Sequence, residues 1–519
     1  MTPPQRAPIS NKWVVAMTVM LPTFIEIMDT SVVNVSLPHI QGSLSAGLDE
    51  VAWVLTSYLV SNAIIIPITG WLSGFFGRKR YLMFSLVLFT GSSLICGVAP
   101  SLGILIAARI LQGLGGGGLQ PLSQAILLES FPAEEHGMAM AVFGMGVVLA
   151  PILGPVFGGW LTDTWSWRWV FYLNLPTGIL AVALVWLFIH DPPYIRRGRF
   201  KIDAWGLFLL TVGLGCLQIV LDKGQREDWF SSDFILASSL VAAAALALFV
   251  WVELHTEHPV VNLRTFWDRS FTAGTIIVFC GFFCLFGSFV LLPLFLQNLM
   301  GYTAFWAGLV LGPGGIAAFL SMPVAGFSMK QKVAPRVLLG IGLTLSAVAL
   351  WLMSGFNLLI DFRAAALPRI IQGFGIGLFF VPLSAATFVG ISREETGNAS
   401  GIFNLMRNLG GSFGVALSTT MFARHTQLHQ NILIGHISPY HPAFQSYFEQ
   451  TRRWLFTQGP QLATPSATLS VIYREVLRQA GMLAFNDTFW LLCIGTAMLV
   501  PVTLLFRRGS ADGKQEVLL

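Results

Sequence analysis

Arg109-Ile110-Leu111-Gln112-Gly113-Leu114-Gly115 returns 260 residues later as Arg369-Ile370-Ile371-Gln372-Gly373-Phe374-Gly375. At the same offset Glu134-Glu135 and Gly137 return as Glu394-Glu395 and Gly397, and Pro121-Leu122-Ser123 returns one residue out of step as Pro382-Leu383-Ser384. Gly70 to Arg80 is echoed, with the same spacing, by Gly326 to Arg336. Matches that keep one order over such a distance imply two related halves.

Each repeated string sits in or beside an apolar run long enough to cross a bilayer, about twenty residues. The runs are 13–38, 51–73, 82–100, 103–127, 138–161, 169–188, 204–221, 233–253, 271–297, 304–326, 337–355, 364–388, 399–422 and 486–506. An all-α polytopic membrane protein with 14 transmembrane helices is therefore expected: two six-helix bundles, with 204–221 and 233–253 inserted between them. Composition agrees. The chain is 55% hydrophobic and 11% charged, against roughly 25% charged in a soluble domain, and its mean hydropathy is +0.71. A soluble globule of this length has too little interior for that apolar surface. Cys96, Cys216, Cys280, Cys284 and Cys493 lie in apolar runs without metal spacing, and Cys280 and Cys284 read as small packing residues on one helix face. No metal site, Walker sequence or hydrolytic triad is read from the chain. The N-terminal run spans rather than forming a cleavable signal.

Lys and Arg set the orientation. With both termini on the cytoplasmic side, Arg6, Lys12, Arg78, Lys79, Arg80, Arg196, Arg197, Arg199, Lys201, Arg264, Arg269, Lys330, Lys332, Arg336, Arg393, Arg507, Arg508 and Lys514 fall inside. Only Arg168, Lys223, Arg226 and Arg363 fall in short outside loops. The long 423–485 loop carries further basic residues, but long loops largely escape this rule. The net charge of +5 thus reports topology, and no nucleic-acid partner is expected. The expected divisions are 1–200 for the first bundle, 201–270 for the two inserted helices and their loops, and 271–519 for the second bundle with its outer loop 423–485. Two repeated bundles around a midplane site form a common plan of secondary transporters.

Ionisable groups inside spans are costly and mark function. Glu26 and Asp29, at i,i+3 in the first span, share a face with Thr30, and Asn34 borders it. Burial favours the neutral carboxyl and a nearby cation favours the charged one, so such groups can take a proton on one side and release it on the other. The alternative is a buried acid held only by hydrogen bonds, and the sequence does not choose between Glu26 and Asp29. Arg109, in the fourth span with Gln112, is either a fixed charge tuning Asp29 or a brace for backbone carbonyls. Its repeat Arg369 favours the structural role, and Arg407 is placed near a cavity. Gly113, Gly115 and Gly118 match a dinucleotide-binding string, but no strand precedes them, and small residues in such a helix permit close packing.

The fifth span concentrates Gly146, Pro151, Gly154-Pro155 and Gly158-Gly159. Proline removes an internal hydrogen bond and glycine eases bending, so this helix reads as a hinge or seal. Gly70 and Gly77-Arg78-Lys79-Arg80 form a loop that could latch the halves at the cytoplasmic gate. The loop 423–485 holds Leu469, Ile472, Val476 and Leu477 at helical spacing, and an aromatic patch, Tyr447, Phe448, Trp454, Leu455 and Phe456. It reads either as an amphipathic surface for lipid or a partner, or as a cap folded onto the bundle.

These strings resemble the fourteen-helix drug:proton antiporters of the major facilitator superfamily, over almost the whole chain. Met28-Asp29-Thr30-Ser31-Val32-Val33-Asn34-Val35-Ser36-Leu37-Pro38 looks like the first-helix motif, whose acid is implicated in proton and substrate handling. Arg109 with Gln112-Gly113 is similar to the fourth-helix motif, whose arginine is tied to proton transfer. Gly146 through Gly159 resembles the antiporter motif associated with exporters. Trp167-Arg168-Trp169-Val170-Phe171 with Asn174-Leu175-Pro176 is a further match. Leu221-Asp222-Lys223-Gly224, Asp228-Trp229-Phe230 and Gly301-Tyr302-Thr303-Ala304 resemble the EmrB branch in particular. One departure stands out: where the family's loop motif carries an acid, this chain has Gly74, and Lys330 at the repeat.

The resemblance implies a non-enzymatic antiporter in a bacterial inner membrane, with no cofactor and a proton gradient as its drive. It implies export of amphipathic toxic compounds through a cavity that includes Thr30, Asn34, Gln112 and Arg407. In Gram-negative bacteria it implies an EmrA-like periplasmic adaptor and an outer-membrane channel, with the aromatic loop as the contact. Two alternatives stay open: an exporter dedicated to one metabolite or siderophore, and a receptor or passive channel on the same scaffold.

Overall fold

A computed structural model describes residues 11–192, 203–257, 259–459, 461 and 463–505. Arg6, Arg196, Arg197, Arg199, Lys201, Arg507, Arg508 and Lys514 of the orientation argument lie outside the described residues. The rest is helical: α1 Lys12–Ser43, α2 Leu48–Phe76, α3 Arg78–Val98, α4 Leu102–Gly116, α5 Leu119–Ser130, α6 His136–Thr164, α7 Trp169–Tyr172, α8 Asn174–Phe188, α9 Ala204–Lys223, α10 Asp233–His255, α11 Arg269–Leu294, α12 Ala304–Lys330, α13 Pro335–Met353, α14 Phe362–Thr387, α15 Thr396–Gly435, α16 Pro442–Gln458 and α17 Pro465–Val502. Among the described residues, 13 helical stretches are long and apolar enough to span a bilayer. The expected span 399–422 lies in α15, which is helical over 40 residues. It is not among the 13 because Ser400, Asn404, Arg407, Asn408, Ser412 and Ser418 dilute its hydropathy. It packs beside α11, α17 and α2 within the bundle.

Apolar side chains face outward as well as inward. On α10, Leu240, Val241, Leu248 and Trp251 are exposed, as expected where lipid rather than water is the solvent. α10 packs chiefly on α9, and α9 packs on α2, α10 and α15.

The two halves meet through the repeated glycines. A Cβ on Gly70 of α2 would lie 2.5 Å from Asn398 Cα and 2.9 Å from the carbonyl carbon of Gly397 on α15; one on Gly326 of α12 would lie 3.0 Å from the carbonyl oxygen of Gly137 on α6. Gly70 and Gly326 are repeat partners, and so are Gly137 and Gly397. The repeat thus encodes a pair of related helix crossings in which backbones approach closely. Both lie toward the end that carries Gly77-Arg78-Lys79-Arg80, here called the basic end. Gly77, with φ 88°, joins α2 to α3 in a conformation that favours glycine.

The halves differ in the arginine-bearing helix. The run Gly115-Gly116-Gly117-Gly118 ends α4, and α5 restarts at Leu119, because consecutive glycines lose helix propensity at each position. In the repeat, Phe374 and Ile376 alternate with Gly373, Gly375 and Gly377, and α14 runs through unbroken. At the opposite end, most of 423–485 is helical rather than loop. α15 extends to Gly435, α16 packs along α17, and α17 begins at Pro465.

Candidate functional site

Asp29 and Glu26 are both buried on α1, 1% and 4% exposed, and each collects donors from other helices of the first half. Asp29 Oδ2 accepts from Arg109 Nη1 at 2.6 Å; its Oδ1 accepts from Gln112 Nε2 at 2.9 Å and from Asn174 Nδ2 at 2.6 Å. Arg109 is fixed in turn: Nε donates to the Val54 carbonyl at 3.1 Å, Nη1 also reaches Gln112 Oε1 at 2.8 Å, and the guanidinium lies 4.1 Å from the centre of the Tyr58 ring. Asn174 is anchored by Ser93, whose hydroxyl donates to the Phe171 carbonyl at 2.9 Å. Arg109 thus both pairs with Asp29 and bonds a backbone carbonyl of α2. A buried pair of this kind is sustained only where further hydrogen bonds replace the lost water, and α2, α3, α4 and α8 all contribute here.

Glu26 has a different environment. Its Oε1 accepts from Asn62 Nδ2 at 2.9 Å and from the Tyr58 hydroxyl at 3.2 Å, and its Oε2 accepts from the amide of Gln120. Among the described residues no cation bonds it directly. Gln120 instead takes a hydrogen bond from Arg407 of α15 on its own oxygen, so one amide stands between an acid of the first half and a guanidinium of the second. Next to it Asn404 Nδ2 donates to Gln124 Oε1 at 2.6 Å, and the Ser400 hydroxyl donates to the Pro121 carbonyl at 2.7 Å. Ser400, Asn404 and Arg407, three of the residues that lower the hydropathy of α15, are therefore set against α5. Tyr58 joins the two acid sites, with its ring under Arg109 and its hydroxyl on Glu26. A Cβ on Gly116 would lie 2.9 Å from that hydroxyl.

The other expected residues distribute as follows. Gln112 and Arg407 are buried in these networks; Thr30 is half-buried and bonds the Glu26 carbonyl at 3.4 Å; Asn34 is exposed. In α6, Gly146 lies against Met20, Gly154 against Ser31 and Gly158 against the Val32 backbone, whereas Gly159 has nothing within 4 Å. Pro151 and Pro155 lie within the same helix, and the Ser36 and Thr162 hydroxyls tie α1 to α6 at 2.8 Å. At the basic end Arg78 pairs with Glu129 in a buried site, Arg80 is exposed, and Gly74 has open space around it. Lys330 reaches Glu135 of the other half at 3.7 Å, and Lys12 reaches the same carboxylate. Asn62, Tyr58, Gln120, Gln124, Asn174 and Asn404 were given no role from the sequence. Their signal was polarity inside apolar runs, which identifies a buried partner but not whose.

The arrangement holds charge at the seam of a repeated, membrane-embedded bundle. The sequence profile of the Major Facilitator Superfamily matches residues 19–415. The chain belongs to the major facilitator superfamily. It is 37% identical over 490 residues, 94% of each chain, to the multidrug export protein EmrB of Escherichia coli K12, and 37% identical over 479 residues, 92% of each chain, to that of Haemophilus influenzae. It is 34% identical, over 95% of each chain, to the fatty acid resistance protein FarB of Neisseria gonorrhoeae. The solved structure of the proton:xylose symporter XylE aligns with a TM-score of 0.59 at 15% identity, over 96% of this chain and 99% of that one. This is a multi-pass membrane transporter of the facilitator fold, not an enzyme.

Proposed function

We propose that this chain is a proton-coupled antiporter that exports amphipathic drugs or other toxic compounds across the inner membrane by alternating access. The observation that carries the reading is the buried relay Glu26–Gln120–Arg407, which ties a titratable group in one half to a charge in the other. The names of the relatives, multidrug export and fatty acid resistance, support amphipathic cargo.

The two acids divide the work. Asp29 accepts three N–H donors, the arrangement of an acceptor-only carboxylate, and a proton added there would displace one of them and strand Arg109. Asp29 and Arg109 thus hold the first half in shape. Glu26 is met by neutral dipoles, and a proton on it removes the negative charge that orients Gln120 toward Arg407. That loosens the seam between α5 and α15 and lets the halves rock. With the basic end cytoplasmic, the Gly70–Gly397 and Gly326–Gly137 crossings close the inner side, and Lys330 on Glu135 replaces the acid-based latch that Gly74 lacks. α6, small-faced against α1, is the hinge and seal. The exposed Tyr447, Trp454 and Phe456 on α16 form the surface for an EmrA-like periplasmic adaptor and its outer-membrane channel.

The test is export in vesicles under an imposed pH gradient. Glu26→Gln should fold and bind cargo but lose its response to the gradient. Asp29→Asn should lose both transport and thermal stability. Gradient-driven export that survives in both variants removes the proposal.

A further inference from the structure

Outside the seam, one cluster has ligand chemistry that transport does not use. His425 and His429 are four residues apart on α15 and therefore on one face, and α17 brings Asp487 against them. His425 Nδ1 and His429 Nε2 lie 2.8 and 2.7 Å from the same Asp487 Oδ2. One ligand atom from each residue lies within 4.8 Å of the others. We infer that His425, His429 and Asp487 form a divalent transition-metal site, suited above all to zinc.

Zinc bound at about 2.0–2.2 Å in a tetrahedron keeps its donor atoms about 3.3 Å apart, so the two nitrogens need to withdraw by about half an ångström from the shared oxygen to admit the ion. Two imidazoles and one carboxylate suit zinc or its first-row neighbours, whereas calcium and magnesium call for oxygen donors. The side chains are 29%, 20% and 42% exposed, so an ion can enter from water, and a water can take the fourth position. The frame is braced on both sides: the Phe422 and Phe485 rings pack with centroids 4.4 Å apart at a tilt of 42°, and Gln430 Nε2 donates to the Tyr473 hydroxyl at 2.8 Å. The sequence reading found no zinc motif because the third ligand is 58 residues from His429. The pair of histidines at helical spacing was the visible part of the signal. A bound ion would staple α15 to α17 where they carry α16 and its exposed aromatic side chains.

The experiment uses the full-length, tag-free chain in detergent or nanodiscs. It is titrated with zinc chloride by calorimetry, and with cobalt chloride by visible absorption, where a four-coordinate site gives strong d–d bands. The parent should bind zinc stoichiometrically, show those bands and unfold at a higher temperature with zinc present. His429→Gln and Asp487→Asn should each weaken zinc binding about 100-fold and lose the bands and the zinc-dependent thermal shift. Their metal-free unfolding should stay close to the parent's, which separates loss of a ligand from loss of fold. The site is overturned if the parent takes up no more zinc than a His425→Gln/His429→Gln double variant, or if the cobalt bands persist unchanged in the single variants.

Discussion

Arg109 and Arg369 stand at the same place in the same repeated string, yet only one of them faces an acid. Arg109 meets Asp29 at 2.6 Å. The residue 260 positions on from Asp29 is Phe289, and its ring centre lies 4.0 Å from the Arg369 guanidinium. An aromatic face has replaced a carboxylate beneath a conserved spacing of Arg and Gln, and the remaining hydrogen bonds run through Gln372 to Ser288. The same contrast holds one turn earlier, where Glu26 is matched by Phe286. Duplication thus left the scaffold intact in both halves and confined the titratable chemistry to one. At the glycine crossings of the basic end the halves instead remain equivalent.

Five substitutions bear on that comparison. The largest effect is expected from Arg109→Met, which leaves Asp29 charged and unpaired in a dry site. Breaking a buried pair from one side costs about 3–5 kcal/mol, so thermal unfolding in detergent should fall sharply and export should be lost. Arg369→Met strands no carboxylate. It gives up a cation–ring contact and a charged hydrogen bond, about 1–3 kcal/mol, with export retained. Equal losses in the two variants, measured by the same unfolding assay, would erase the asymmetry. Gly70→Leu and Gly326→Leu each press a side chain onto the backbone of the facing helix, and overpacking of this kind costs about 1–3 kcal/mol. Both should block closure of the basic end and stop export equally, while Gly74→Leu, with nothing within 4 Å, should leave it unchanged. A large difference between the two blocking variants would show that the gate is not shared evenly.

The spans and the two-half plan were legible because apolar length and a 260-residue repeat are one-dimensional signals. So was the need of Glu26, Asp29 and Arg109 for buried polar partners, since charge inside an apolar run is costly when left bare. Their partners were not. Asn174 reaches Asp29 only because Ser93 and Phe171 fix the start of α8, and Gln120 reaches Glu26 only because a glycine run breaks the fourth span. Phe289 could have been found by carrying the repeat offset onto Asp29. Asn34, placed with the cavity by its position on α1, is exposed. In the segment 423–485 only the helical spacing of Leu469, Ile472, Val476 and Leu477 was legible, because polarity reports the absence of a span, not the absence of a helix, and the extensions of α15 and α17 follow from packing that composition does not reveal.

The unusual polarity of α15 also bears on how the chain is made. Charged and amide side chains at a helix centre oppose partitioning into lipid, and it is Gln120 and Gln124 of the other half that accept hydrogen bonds from Arg407 and Asn404. During synthesis this segment is therefore expected to reach its final depth only once α2 and α5 are in place to receive it. A chain expressed without its first half should leave that segment stranded at the translocon and exposed to degradation.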